Sequence, residues 1–172
     1  LGIMCGTAIG HSAAMLYAAI YTFASLAAFG CILHFSKSNF EADQLEDYRG
    51  MSRTHPWLAF LLLVVMFTLA GIPPTIGFYA KLSIFQAVIG TGLIWVAVVA
   101  ALFTVVGAFY YLRIVKLIYF DEPAVDNVGR PAGQAVTVSV VLTINVLFLI
   151  AFMPWIGSIA KLFQEAVQLT LS

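Results

Sequence analysis

The stretch AGIPPTIGFYAKL, residues 70–82, sets two consecutive prolines and then a lysine inside one of the most apolar parts of a 172-residue chain. Pro73 and Pro74 carry no amide hydrogen and their rings clash with the preceding turn. A membrane helix containing them must open there unless neighbouring helices re-satisfy its carbonyls. Lys81 follows about two turns later. An ammonium at mid-membrane depth costs roughly 2.5–3.5 kcal/mol on insertion scales, so such a lysine is by default a functional residue. Gly77, one turn before it, is expected to leave room for water, with Phe78 and Phe85 walling the same helix face. A broken helix beside a titratable amine is what a proton or ion pathway requires.

Working outward from this stretch, composition defines the solvent. Hydrophobic residues make up 62% of the sequence and charged residues 9%, with a mean hydropathy of +1.01. A water-soluble domain of this size could not stay in solution with that surface, so the expected fold class is an all-α, polytopic transmembrane helix bundle with one discontinuous helix. The net charge of +0 gives no reason to expect nucleic acid as a partner. Cys5 and Cys31 sit among small and apolar residues without metal-ligand or redox spacing and read as packed thiols. No metal site is expected.

A membrane helix needs about 20 mostly apolar residues. Spans are predicted over 13–35, 57–89, 92–112 and 134–155. The first is rich in Ala and Gly, which lets neighbouring helices approach closely in lipid. As one straight rod the second would be about 50 Å long, against a hydrocarbon core of about 30 Å. That excess is a second, independent reason to place a break near 72–75. In the tail, 156–171, Ile159, Leu162, Phe163, Ala166 and Val167 fall on one helical face opposite Lys161, Gln164, Glu165 and Gln168. The tail is therefore expected to be an amphipathic helix for the membrane surface or a partner, or else an extension of the fourth span.

If connections alternate sides, Lys37, Arg49, Arg53, Arg113, Lys116 and Arg130 share one side, against Lys161 alone on the other. The positive-inside rule makes the basic side cytoplasmic and puts the C-terminus outside. Acids at Glu41, Asp43, Glu46 and Asp47 count little in that rule. Residues 1–9 read as the end of a span and lack the basic start of a signal peptide, so the chain is expected to be a fragment.

Lys81 is the only formally charged residue within these spans away from their ends. Desolvation disfavours its ammonium form, which suits it to take up and release a proton. The carbonyls near Ile72 are expected to offer acceptors for a water chain. A lysine that instead snorkels to the interface beyond Ile89 would be structural. His34, near the cytoplasmic end of the first span, could hand protons to Lys81 or cap its helix. His55 reads as an interface residue and His11 as a loop residue without an evident partner. Tyr17, Tyr21 and Ser25 share a helix face, either a polar track or packing hydroxyls. Thr137, Ser139, Thr143 and Asn145 invite the packing reading, with Asn145 expected to bond across helices. No Asp or Glu lies in the spans to balance Lys81, and no dinucleotide, P-loop, HExxH, haem or iron–sulfur pattern occurs.

Three segments carry a family likeness. LAGIPPTIGFYAKLSIFQAVI (69–89) resembles the broken, lysine-bearing helix of the antiporter-like subunits of respiratory complex I. QLEDYRGM (44–51) and FYYLRIVKLIYFDEP (109–123) are most similar to the subunit N family, the bacterial counterpart of mitochondrial subunit 2. The resemblance spans essentially the whole chain and implies that residues 1–172 form the C-terminal third of one proton-translocating membrane domain. It implies a multi-pass subunit of NADH:quinone oxidoreductase in the bacterial inner membrane, partnered by other membrane subunits and by lipid. NADH, FMN, iron–sulfur clusters and quinone would belong to other subunits, with no cofactor in this chain. On this likeness Lys81 ends a relay of buried charged groups, and the C-terminus is periplasmic. Two other readings remain: a multisubunit cation/proton antiporter or membrane-bound hydrogenase subunit, and a structural scaffold.

Overall fold

A computed structural model describes residues 1–35, 44–122 and 136–171. Lys37, Glu41, Asp43, Pro123, Arg130 and the first residues of the predicted fourth span lie outside them, as does the side chain of Thr137. Among the described residues seven α-helices follow in order: α1 (Ala8–Phe35), α2 (Met51–Thr54), α3 (Pro56–Ala70), α4 (Ile76–Gly90), α5 (Ile94–Tyr119), α6 (Val136–Ala151) and α7 (Ile156–Leu171). Short 3₁₀ turns occupy Ile3–Cys5, Leu45–Tyr48 and Met153–Trp155.

The first helix starts earlier than the apolar window implies, and the cause is local. The Thr7 hydroxyl accepts the Gly10 amide at 3.1 Å, as an N-cap residue does for the third helical amide. His11, expected in a loop, therefore stands in the opening turn of α1. It has a partner after all, since Nδ1 lies 2.7 Å from the Thr7 carbonyl oxygen. Further along, Ala24, Ala27 and Cys31 are buried, and these small side chains let α1 pack against α3, α4, α6 and α7. Helix α1 is the hub of the bundle.

The predicted span at 57–89 is two 15-residue helices, α3 and α4, separated at Gly71–Thr75. Pro56 stands in the first turn of α3, where its missing amide costs nothing. Neither half reaches across a 30 Å core alone. Helix α5 packs against both halves. One end of α5 follows the turn after Gly90, and near the other Leu117 accepts the Gly50 amide at 3.1 Å. Met51 is buried beneath this junction, and Arg49 pairs with Asp121 at 3.6 Å. Thus two of the segments that carry the family likeness, 44–51 and 109–123, meet each other.

By length and apolar composition α1 and α5 can each cross a membrane, and α6 with α7 makes a third such element bent by 48°. The bend falls at Phe152, immediately before the 3₁₀ turn that holds Pro154. The tail helix finds its partner within the chain: Ile156 and Val167 are buried and α7 lies along α1, while Leu162 and Ala166 of the predicted apolar face remain exposed. Large exposed apolar side chains on α5, among them Trp95, Phe103 and Phe109, need lipid or protein cover.

The half-exposed Arg49–Asp121 pair is a weak contact, so Arg49→Ala should cost less than about 1 kcal/mol. Gly77→Val, which forces a side chain into the α3–α4 contact described below, should cost about 1–3 kcal/mol or more. Thermal unfolding of the full-length protein in detergent would rank the two.

Candidate functional site

The site is built where α3 stops. Gly71, with φ +78°, ends the helix in the left-handed conformation that suits glycine. Its amide bonds to the carbonyls of Phe67 and Thr68 at 2.9 and 3.1 Å, and the Ile72 amide bonds to Phe67 at 2.9 Å. This Schellman arrangement satisfies two of the last carbonyls of α3 and leaves those of Leu69 and Ala70 open. The Pro73–Pro74 peptide is cis, and both prolines are exposed. Buried Thr75 closes the joint, donating its amide (3.2 Å) and hydroxyl (2.8 Å) to the Ile72 carbonyl.

From the second turn of α4, Lys81 reaches back across this joint. Its Nζ donates to the Leu69 and Ala70 carbonyl oxygens, each at 2.8 Å. An ammonium has three donors, and these bonds account for two of them. The side chain passes over Gly71 so closely that a Cβ there would lie 2.7 Å from Lys81 Cδ. The acceptors expected near Ile72 are therefore misplaced by a few residues: Thr75 occupies the Ile72 carbonyl, and the lysine uses the two carbonyls upstream. A tally of which carbonyls lose an i+4 donor to proline would have found them.

Gly77 also departs from expectation. Its backbone lies against the Thr68 carbonyl, which an added Cβ would overlap, so the residue serves close helix contact rather than space for water. A cavity of about 10 Å³ beside it, lined also by Tyr17, Tyr21 and Lys81, is near the lower limit for a single water.

On its other side Lys81 faces an open groove of about 700 Å³ between α1 and α5. Tyr17, Tyr21, Tyr111, Trp95, Phe85 and Thr104 line it with other apolar residues. Tyr17 and Tyr21 stack with ring centroids 5.8 Å apart. Ser25 lines neither this groove nor the small cavity, so the predicted polar stripe is a tyrosine pair here, joined by Tyr111, which the sequence reading had not singled out. No carboxylate is among the residues that line the groove. Of the two phenylalanines expected beside Lys81, only Phe85 lines it.

His34 belongs elsewhere. It lines a separate cavity of about 230 Å³ with His55, Trp57, Ser139 and Leu142, and none of the residues lining that cavity lines the Lys81 groove. His34 lies thirteen positions along α1 from Tyr21, or about 20 Å. Its Nδ1 is buried without a hydrogen-bond partner among the described residues. The Oδ1 of Asn145 is likewise unpartnered there, contrary to the expected cross-helix bond, whereas Thr143 accepts one from Trp57 Nε1 at 3.1 Å.

An apolar bundle with a broken span and a lysine lodged at the break defines a class, the polytopic helical membrane proteins with a discontinuous helix. Within that class residues 1–107 match the transmembrane family described as NADH:quinone oxidoreductase/Mrp antiporter, and the chain belongs to it. It is 50% identical over 153 residues to NADH-quinone oxidoreductase subunit N of Acidithiobacillus ferrooxidans, covering 87% of this chain and 31% of the relative. Subunit N of Thioalkalivibrio sulfidiphilus is 43% identical over 167 residues, covering 97% of this chain and 34% of the relative. The chain thus spans about a third of the length of the curated relatives it matches. Among solved structures it superimposes on a chain of respiratory complex I from Thermus thermophilus with bound aureothin, with a TM-score of 0.76 and 26% identity. That match covers 90% of this chain and 35% of the other.

Gly71→Ala should destabilise the joint by about 1–2 kcal/mol through its positive φ alone. The added methyl would also displace the lysine stem, and thermal unfolding with a structure of the variant would record both.

Proposed function

We propose that this chain is part of a proton-translocating membrane subunit of bacterial NADH:quinone oxidoreductase, in which Lys81 is loaded with a proton and discharged during each cycle. The observation that carries this reading is the ammonium of Lys81 held by two backbone carbonyls at the break of an apolar bundle. It is supported by relatives named subunit N at 40–58% identity. The groove beside Lys81 gives that nitrogen an open face, and three tyrosine hydroxyl-bearing side chains line it.

On this reading the redox chemistry lies in other subunits. NADH oxidation, flavin, iron–sulfur clusters and quinone reduction belong to partners, and this chain supplies proton transfer coupled to them. Its surroundings are the lipid bilayer of the inner membrane and neighbouring membrane subunits, against which the exposed apolar face of α5 fits. The Arg49–Asp121 pair brings the two basic segments, around Arg49 and Lys116, to one end of the bundle, and the positive-inside rule assigns that end to the cytoplasm. The positive-inside rule then gives a periplasmic C-terminus.

Two alternatives weigh less. A cation/proton antiporter subunit shares the family, and a gene neighbourhood without other complex I subunits would favour it. A scaffold with a snorkelling lysine is disfavoured because Nζ points back to the joint rather than toward the end of α4.

Lys81→Met in the assembled complex should impair proton pumping while quinone reduction continues, read as protons moved per NADH oxidised in vesicles. Pumping at the wild-type ratio would reject the assignment. His34→Ala should lower the ratio less than Lys81→Met, because His34 lines a separate cavity.

A further inference from the structure

We infer that Pro73 and Pro74 are positioning residues for Lys81, because their missing amides keep the Leu69 and Ala70 carbonyls free as a seat for its ammonium. In a continuous helix the amide of residue 73 would bond to carbonyl 69, and that of residue 74 to carbonyl 70. Proline supplies neither hydrogen. The two carbonyls deprived in this way are the two that Lys81 Nζ holds, at 2.8 Å each. Each proline thus withholds the helix donor that one of the two acceptors would otherwise have.

Gly71 stops α3 in the left-handed conformation, and the prolines beyond it withhold the amides with which the helix would otherwise continue to the same two carbonyls. Phe67 accepts from the Gly71 and Ile72 amides and, at 3.4 Å, from the Thr75 hydroxyl. Thr68 accepts from Gly71, and Ile72 from Thr75. Every carbonyl from Phe67 to Ile72 except Gly71 thus has a donor, and only Leu69 and Ala70 depend for theirs on a side chain beyond the joint, that of Lys81. Around the same nitrogen α1 presents Tyr17 and Tyr21 and α5 presents Tyr111, with no carboxylate, arginine or histidine among the groove's lining. Backbone oxygens take the place of a counter-ion.

The break then does more than fit an overlong span into a bilayer. It creates the acceptors that hold the protonated lysine, so opening of the helix and retention of the charge are one arrangement. Returning amides at 73 and 74 would let α3 reclaim both carbonyls and would evict the ammonium into the groove.

This inference rests on the proposed role of Lys81, yet its structural part is tested separately. In the purified complex, hydrogen–deuterium exchange over residues 71–77 is compared for wild type, Lys81→Met, Pro73→Ala/Pro74→Ala and the triple variant. Removing the lysine from the wild-type background should speed exchange by about tenfold or more, since two carbonyls lose a charged donor. In the double-alanine background, where helix amides can serve those carbonyls, Lys81→Met should change it little. Equal effects in the two backgrounds would overturn the inference. The double-alanine variant should also pump less per NADH oxidised, and pumping at the wild-type ratio would overturn it as well. The single variants Pro73→Ala and Pro74→Ala, each restoring one amide, should give intermediate exchange effects and serve if the double variant does not assemble. Normal pumping by Lys81→Met would defeat the proposed function while leaving the exchange comparison to decide the seat.

Discussion

A single ammonium group lodged on two carbonyls at a gap between half-helices is the contact on which the other features of this bundle depend. Hydrogen bonds to a charged group contribute about 1.5–3 kcal/mol each. Two of them are of the same size as the roughly 2.5–3.5 kcal/mol that a mid-membrane lysine costs on insertion scales. The lysine can therefore reside in an apolar bundle without a carboxylate beside it, and none of the groove's lining residues supplies one. The same bonds relieve the opposite problem, two backbone oxygens at a helix end with no backbone amide to satisfy them.

Holding that contact places demands on the neighbours. For Lys81 to reach back from α4, the start of that helix must lie beside the last turn of α3, and this is where Gly77 meets the Thr68 carbonyl. A side chain at either Gly71 or Gly77 would push the halves or the lysine apart. Two short helices meeting at an open joint also need external support. Helix α1 supplies it on one side with Ala24 and Ala27, and α5 runs along both halves on the other. The far end of α5 is tied to the loop before α2 through the Gly50–Leu117 bond, which fixes the strut relative to the start of α3.

Much of this was legible in the residues, and the misses have identifiable causes. Composition alone gives a membrane bundle, and the proline pair together with the excess length of 57–89 gives the break, because both follow from backbone chemistry and bilayer thickness. The start of α1 was missed because hydropathy windows register apolar content, whereas the helix begins at a threonine cap. Glycine at 77 reads as empty space in a sequence, yet which surface fills that space depends on tertiary contact. The tail's amphipathic stripe was visible, but periodicity cannot say whether lipid or α1 covers it. The lysine's partners are main-chain atoms, and residue-type searches for a counter-ion pass over them.

A seat made of backbone differs in kind from an acidic partner. A carboxylate brings a full charge and can itself be protonated, so it would share the titration with the lysine. Carbonyl oxygens bring partial charges that do not titrate and are fixed by the helix end. The hold on the ammonium is then firm but bounded, and a charge elsewhere can compete with it. With an effective dielectric of about 20, a unit charge at ~8 Å changes the energy of the ammonium by about 2 kcal/mol. That is comparable to one of the two carbonyl bonds. The groove on the open side of Lys81 lies within such reach, so a charge arriving there or leaving it would shift the balance between a seated ammonium and a discharged amine. On the proposed role of Lys81, the joint would set the threshold at which its proton is released, and a charge in the groove would be what crosses that threshold.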